Sequence, residues 1–394
     1  MVNSSWMKLL RETLFRFRWV LSLQEISNIA VYFLQGQLGD CWFLSAISVL
    51  GAHSQLLKSC FWKGQDFKEL GFFVLRFFKD CNIIFVIVDD RIPVKAKDGR
   101  IVFAGNKDAN ELWVPIIEKA YAKLHGSYKA LIGGYTDFGL ADLTGFCPHQ
   151  LVLREGYLGY SEKYESDDLW NTLVRYKQNG CLMGCSIRPN PKEKKQVEAE
   201  AGNGLYYTHA YSLLDLGEID YVDPATKRKV RLLKLRNPWG KGEWEGDYSD
   251  KSIQRNPETQ LGRIINEKIK SKFEVAGTRE TVEVDFNDGT FFIPFEEWLK
   301  YYTSLFIAMK PPNPPPDVPQ RWMTKRYEGQ WSAETGGNRD MGTWLSNPKV
   351  KFNFKLSENS ADTHRLVFIG LYIRDSRMIM GADFFKVRLF SCIP

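Results

Sequence analysis

Cys41, His209 and Asn237 are the residues whose types and settings could carry covalent chemistry in this chain. Attack by sulfur on an acyl carbon needs a thiolate and an imidazole to share its proton. Cys41 stands where a turn marked by Gly36 and Gly39 runs into the apolar residues Phe43, Leu44, Ile47 and Leu50. That spacing predicts a helix beginning near the cysteine, with Asp40 at its N-cap. The unpaired N–H groups and the dipole at such a start favour an anion. His209 sits in an aromatic, strand-like run, GLYYTHAYSLL, and Asn237 at a strand end in LRNPWGKGEWEG. Taken singly, each has a plain reading as a buried thiol, a satisfied core histidine and a turn before Pro238. In the order Cys, His, Asn they fit a triad in which asparagine holds one imidazole nitrogen and leaves the other to the thiol. Gln35, six residues before Cys41, could set a side-chain amide beside the Cys41 N–H, and two such donors make an oxyanion hole.

The elements that must position these residues are legible in outline. Residues 1–33 read as an amphipathic, helical lead-in. FFVLRFF and NIIFVIV within 72–88 read as two buried strands split by Lys79–Asn82. Asp98–Gly99 marks a hairpin. NELWVPIIEKAYAKLHGSYKA (110–130) has helical spacing, with Pro115 near its start, where it is tolerated. Asp167 and Asp168 precede a helix that Asn179–Gly180 ends. Beyond about residue 185 the stretches 205–216, 229–239 and 288–295 are strand-like and aromatic. A helical front and a β-rich back suggest two lobes with a cleft between them. KPPNPPPDVPQ (310–320) reads as a stiff linker. Residues 321–394 read as strands of a separate antiparallel domain, short for a complete sandwich.

Composition removes several function classes. Of 394 residues, 44% are hydrophobic, 14% aromatic and 25% charged, enough for a large core and unlike a disordered or collagen-like chain. The net charge of +6 comes without a Lys/Arg-rich block, so nucleic acid is not the expected partner. Seven cysteines at irregular spacing suit reduced thiols better than a disulfide framework. Cys181 and Cys185 are four apart, with no further ligand pair near them to suggest zinc. Phe72–Val88 is interrupted by Arg76, Lys79 and Asp80, so no membrane span is expected. The basic N-terminus lacks a long apolar run or cleavage site, which argues against a targeting segment. There is no Gly-x-Ser-x-Gly elbow and no His-Glu-x-x-His run, which disfavours a serine hydrolase and a metalloprotease.

The stretches QGQLGDCWFLSAIS, YTHAYSLL and LRNPWGKGEWEGDYSD resemble the calpains, intracellular papain-like cysteine proteases. NELWVPIIEKAYAKLHGSYKALIGG, FFIPFEEWLKYY and YEGQWSAETGGNRDMGTWLSNP are similar to the same family, so the resemblance runs from about 34 to 355. It implies an α+β fold, a two-lobed papain-like core followed by an incomplete antiparallel β-sandwich of C2-like type. The expected domains are a divergent lead-in (1–33), a Cys lobe (34–190), a His/Asn lobe (191–310), a Pro-rich linker (311–320) and a partial sandwich (321–394). Its implied roles are Cys41 as nucleophile, His209 as general base and acid, Asn237 as orienting residue, Gln35 as oxyanion donor and Trp239 as a shield over the His209–Asn237 contact.

The resemblance also implies calcium, which takes six to eight oxygens. Glu243, Asp250 and Asp288, with the Phe286 carbonyl, match a second-lobe site, while Thr290 stands where family members often place another acid. The first-lobe site looks broken, because Tyr32 and Ala141 stand where its acids belong. Apart from calcium, the three acids also read as a solvated acidic loop. In the sandwich, Trp322, Gly329, Trp331, Gly336, Gly337 and Trp344 match the family opening and read equally as core aromatics and turn glycines.

The expected function is therefore a calcium-dependent, calpain-like endopeptidase of the cytoplasm that makes limited cuts in protein substrates. Weak phospholipid contact through the sandwich would fit, and no small calcium-binding subunit is expected, because no helix-loop-helix calcium loop is present. The alternative is a catalytically weak or inactive calpain-like regulator or scaffold, suggested by the lost first-lobe acids, the foreign lead-in and the short sandwich.

Overall fold

The computed structural model describes residues 33–62, 70–80, 82–107, 111–190, 199–273 and 288–311, the backbone of 14–16, and residues 342 and 346. Backbone contacts divide the chain into one unit of Met1–Lys310 with Ile373–Pro394 and another of Pro311–Tyr372. Every element named below belongs to the first. The sandwich residues named above, most of the linker, Tyr32 and the Phe286 carbonyl lie outside the described residues.

The N-terminal part holds strands β1 (Leu14–Arg16) and β2 (Phe33–Leu34), helices α1 (Cys41–Gly51) and α2 (Ser54–Cys60), strands β3 (Phe72–Lys79), β4 (Asn82–Asp89), β5 (Arg91–Pro93) and β6 (Gly105–Asn106), and helices α3 (Trp113–Leu124) and α4 (Thr136–Thr144). Helix α1 forms where the apolar spacing predicts it and is buried along almost its whole length. Trp42, Phe43, Leu44 and Ile47 join Phe77 of β3 and Tyr121 of α3 in one core. Phe43 stacks on Tyr121 at 3.8 Å between ring centroids. Each such side chain removed from water contributes about 1.5–3 kcal/mol, so apolar packing fixes where this helix lies.

Two expectations change here and a third holds. The lead-in, where described, is not helical: Leu14–Arg16 pairs antiparallel with Arg91–Pro93. Strand β4 is buried on only one face. β3 and β4 form a two-stranded ribbon, and Ile83, Phe85 and Ile87 stay about half exposed. A continuous apolar run cannot distinguish one covered face from two. Asp98–Gly99 does make a tight turn, with Lys95 N–H donating to the Arg100 carbonyl at 2.8 Å and Gly99 at φ 68°.

The C-terminal part comprises β7 (Cys147–Val152), α5 (Ser166–Gln178), β8 (Leu182–Ile187), β9 (Glu200–Gly202), β10 (Leu205–Tyr206), β11 (His209–Val222), β12 (Lys229–Arg236), α6 (Gln260–Phe273), β13 (Thr290–Pro294), α7 (Phe295–Tyr301) and β14 (Ser304–Met309). Six of these strands make one sheet in the order β13-β12-β11-β8-β14-β7. All of its pairings are antiparallel. Residue 190, where the sequence places the change of lobes, falls inside this sheet's span of chain, because β7 and β8 precede it. β7 and β8 thus share a sheet with strands of the expected His/Asn lobe. Asn179 and Gly180 end α5 as expected, Gly180 at φ 71°. Among the described residues no helix is long and apolar enough to cross a membrane.

The two parts meet where α1 lies against β11. Ser212 Oγ donates to the Ser45 carbonyl at 3.0 Å in a buried contact. Ser45 is one helical turn beyond Cys41 and Ser212 is three strand residues beyond His209, so this bond ties together the elements that begin with those two residues.

Candidate active site

His209 opens β11 and is 1% exposed. Its Nε2 lies 2.7 Å from Asn237 Oδ1. An amide oxygen can only accept, so Nε2 carries the hydrogen and Nδ1 is the nitrogen able to take a proton. Asn237, just past the end of β12, is fully buried and held on every side. Its Oδ1 also accepts from the Trp239 N–H at 3.0 Å, its Nδ2 donates to the Gly242 carbonyl at 2.9 Å, and its backbone N–H donates to the Gly289 carbonyl at 2.7 Å. The short loop after Asn237 thus folds back on the side chain that orients the imidazole.

Aromatic rings enclose the pair. Trp239 lies over His209 with centroids 4.3 Å apart, Tyr206 meets Trp239 at 4.6 Å, and Tyr211 stands edge-on to His209 at 5.0 Å. Such surroundings exclude water from the His–Asn bond and strengthen it. The backbone before His209 is strained: Thr208, a β-branched residue, sits at φ 56°. That conformation costs about 1–3 kcal/mol and persists only where its surroundings impose it. The Thr208 N–H donates to the Ile187 carbonyl at 2.8 Å, one such constraint. Nothing in the sequence signals this strain, since Thr is the ordinary choice for a strand.

Cys41 is the first residue of α1 and is 9% exposed. It shares an apolar cluster with Ala210, the neighbour of His209. The Tyr211 phenol is close enough to be influenced by the Cys41 charge. Asp40 occupies the N-cap position but makes no side-chain cap bond, contrary to expectation. Its carboxyl turns instead toward Glu118 of α3. Burial pushes up the other described thiols, Cys60 to about 12, and Cys147, Cys181 and Cys185 likewise upward.

Gln35 is tied to the site through its backbone, while its side chain bonds locally. Its backbone N–H donates to the Pro238 carbonyl at 3.1 Å, which joins the segment before Cys41 to the Asn237–Trp239 turn. Its Nε2 donates to the Leu38 carbonyl at 2.6 Å. A carboxamide nitrogen has two hydrogens, so a second remains for another acceptor. Gly36 follows because the chain here presses on residues 102–103, where a Cβ would collide with the Phe103 carbonyl.

The three acids expected to bind calcium are neighbours without forming a ligand set. Desolvation pushes the Glu243 carboxyl up to about 7; a 2.9 Å bond from the Gly289 N–H opposes this, and the Asp250 and Asp288 charges add to it. Asp250 is paired in the interior with Arg255, and Asp288 Oδ1 accepts from the Thr290 N–H at 2.6 Å. Among the described residues no group of three or more His, Cys, Asp or Glu is arranged to hold a metal ion. These three carboxylates by themselves do not supply the six to eight oxygens that calcium takes. Cys181 and Cys185 likewise gather no metal set among the described residues.

The described residues thus place a thiol at a helix start and, at the head of a strand in an adjoining sheet, an imidazole bonded to an asparagine, on an α+β fold. The model of the calpain family cysteine proteases matches residues 5–309, and the chain belongs to that family. The match takes in most of the lead-in, where the sequence motifs show no family likeness. The chain is 33% identical to the calpain-1 catalytic subunit of Rattus norvegicus over 338 residues, 83% of this chain and 42% of that protein. It is 34% identical to calpain-A of Drosophila melanogaster over 326 residues, 80% of this chain and 36% of that protein. Calpain-B of the same fly is 31% identical over 355 residues, 87% and 35% respectively. The chain thus spans about two-fifths of the length of the relatives it matches.

Proposed function

We propose that this chain is a cysteine endopeptidase that cuts protein substrates through a thioester intermediate. The Cys41 sulfur adds to the scissile carbonyl, and the resulting oxyanion is held by the Gln35 amide and the Cys41 backbone N–H. The C–N bond breaks as His209 passes the proton taken from the thiol to the leaving amine. Water, giving its proton to His209, then adds to the thioester carbon and releases the acid and the free thiol. Asn237 keeps the imidazole in the tautomer this requires, and Trp239 covers their bond. The supporting observation is the His209–Asn237 contact, which points Nδ1 of a buried imidazole away from its anchor.

A calcium requirement and a cytoplasmic setting belong to this reading through the family resemblance. Calcium has one local support, that Glu243, Asp250 and Asp288 lie near enough for their charges to oppose one another. No step above is routed through the ion. The test is casein cleavage by the 394-residue chain across a calcium titration, with Cys41→Ala in parallel. Cleavage that needs Cys41 supports the protease. A rise with calcium supports the ion's role, and a flat titration removes it. A folded chain that never cleaves leaves the scaffold reading in its place.

A further inference from the structure

Asp40 and Glu118 are two carboxyls sealed in the interior beside Cys41, 0% and 1% exposed. They lie within hydrogen-bonding reach of each other. Glu118 accepts from the Ala104 N–H with both oxygens, at 3.2 and 3.1 Å. Among the described groups the Asp40 oxygens find no donor beyond Asp40's own N–H. The lysines nearest on α3 are turned elsewhere: Lys119 bonds Asp89 and the Arg91 carbonyl, and Lys123 bonds the Ile87 carbonyl. Among the described residues the Tyr128 phenol is another ionisable neighbour, which Glu118, Asp40 and Asp89 all influence. Two adjacent anions cannot be buried without a cation or a donor between them.

We propose that Asp40 and Glu118 share a proton across α1 and α3, making Asp40 a positioning residue whose protonation state governs the reactivity of Cys41. A hydrogen between the carboxyls satisfies the Asp40 oxygens that the helix amides leave unbonded, and it locks the start of α1 to α3. Both carboxyls lie above the usual range, Asp40 at about 7 and Glu118 well above, because burial and each other's charge oppose ionisation. Protons on such a pair leave in two steps that belong to the pair. The pair is neutral in mild acid and singly negative above neutrality. Because Cys41 follows Asp40 directly, that charge appears on the residue next to it in the chain. The link to Cys41 chemistry rests on the protease reading; the shared proton does not.

The experiment uses the full chain with Asp40→Asn, Glu118→Gln and the double variant, amides that keep the shapes and supply a donor. The first readout is the infrared difference spectrum between wild type and each variant at pH 7. The account expects a protonated-carboxyl band in wild type that Glu118→Gln removes. Asp137 and Asp142, also buried with raised carboxyls, cancel because every form contains them. No difference band overturns the shared proton. The second readout is the rate of iodoacetamide labelling at the Cys41 peptide. A neighbouring charge moves a thiol's ionised fraction by about tenfold per pK unit. The double variant should therefore label at the wild-type rate at pH 5.5 and about three- to tenfold faster at pH 8. A merely structural role changes both rates alike. Equal ratios at the two pH values, or a Cys41 that labels in no form, overturn the coupling. Casein cleavage is scored separately, so loss of the protease reading is distinguishable from loss of the pair.

Discussion

His209 is aimed by polar bonds gathered around one residue, whereas Cys41 is placed by the packing of a whole helix. Around Asn237 the partners are Trp239, Gly242 and Gly289, with an indole closing over the imidazole. Around Cys41 they are the buried face of α1 and a carboxyl pair reaching from Asp40 to a helix far along the chain. Orientation of a ring needs directional bonds, and hydrogen bonds supply direction. Location of a sulfur needs a rigid support, and close packing supplies that. The Ser45–Ser212 bond and the Gln35–Pro238 bond join the two halves. Substitutions on the imidazole half should therefore disturb rate more than stability, and those on the thiol half should show themselves through stability and pH.

The largest difference is expected at Gln35, which serves both halves. Gln35→Ala should lower kcat by about 10²–10³-fold with a small change in KM, as removal of an oxyanion donor does. A loss confined to KM would move Gln35 out of that role. Asn237→Ala should cost about 10²-fold in kcat/KM by releasing the imidazole from its geometry. It should also lower stability, because the bonds to Gly242 and Trp239 are lost in the interior. Trp239→Ala should be milder, on the order of tenfold, in keeping with about 1 kcal/mol for an aromatic contact.

The smallest effect falls on the thiol half and appears as pH dependence. A folded carboxyl raised to about 7 binds more protons than the unfolded chain between pH 4 and 7. Its contribution to stability is full below about pH 4, where the unfolded carboxyl is also protonated, and is lost as pH rises through 7. Asp40→Asn cannot ionise. Its Tm should match wild type near pH 4 and exceed it by roughly a few degrees at pH 8. A gap that stays constant with pH would mean that Asp40 does not titrate in the fold.

Much of this was legible from local pattern. The apolar spacing located α1, Asn179–Gly180 located the end of α5, and the order Cys, His, Asn with Gln35 marked the residues on which the proposed site rests. What could not be read depends on contacts distant in sequence. The sequence places Asp40 before a helix, where a cap is the local choice. Only the fold brings Glu118 near enough to claim it. Strand β4 has the same apolar residues whether one face or two are covered. Helix α6 carries Ile265, Ile269 and Phe273 at helical spacing, a signal that the surrounding strand-like stretches obscured. β7 and β8 read as part of the first lobe because register is a tertiary property, and their partners in the sheet come much later in the chain. The strain at Thr208 has no compositional mark.

The account turns on Cys41 being activated by His209, and covalent capture tests that most directly. The chain would be treated with an epoxide directed at papain-like thiols, and the modified peptide identified by mass. The account predicts one adduct, at Cys41, forming on the order of 10²-fold more slowly in His209→Ala. An adduct confined to other thiols, or a Cys41 rate that His209→Ala leaves unchanged, would contradict it.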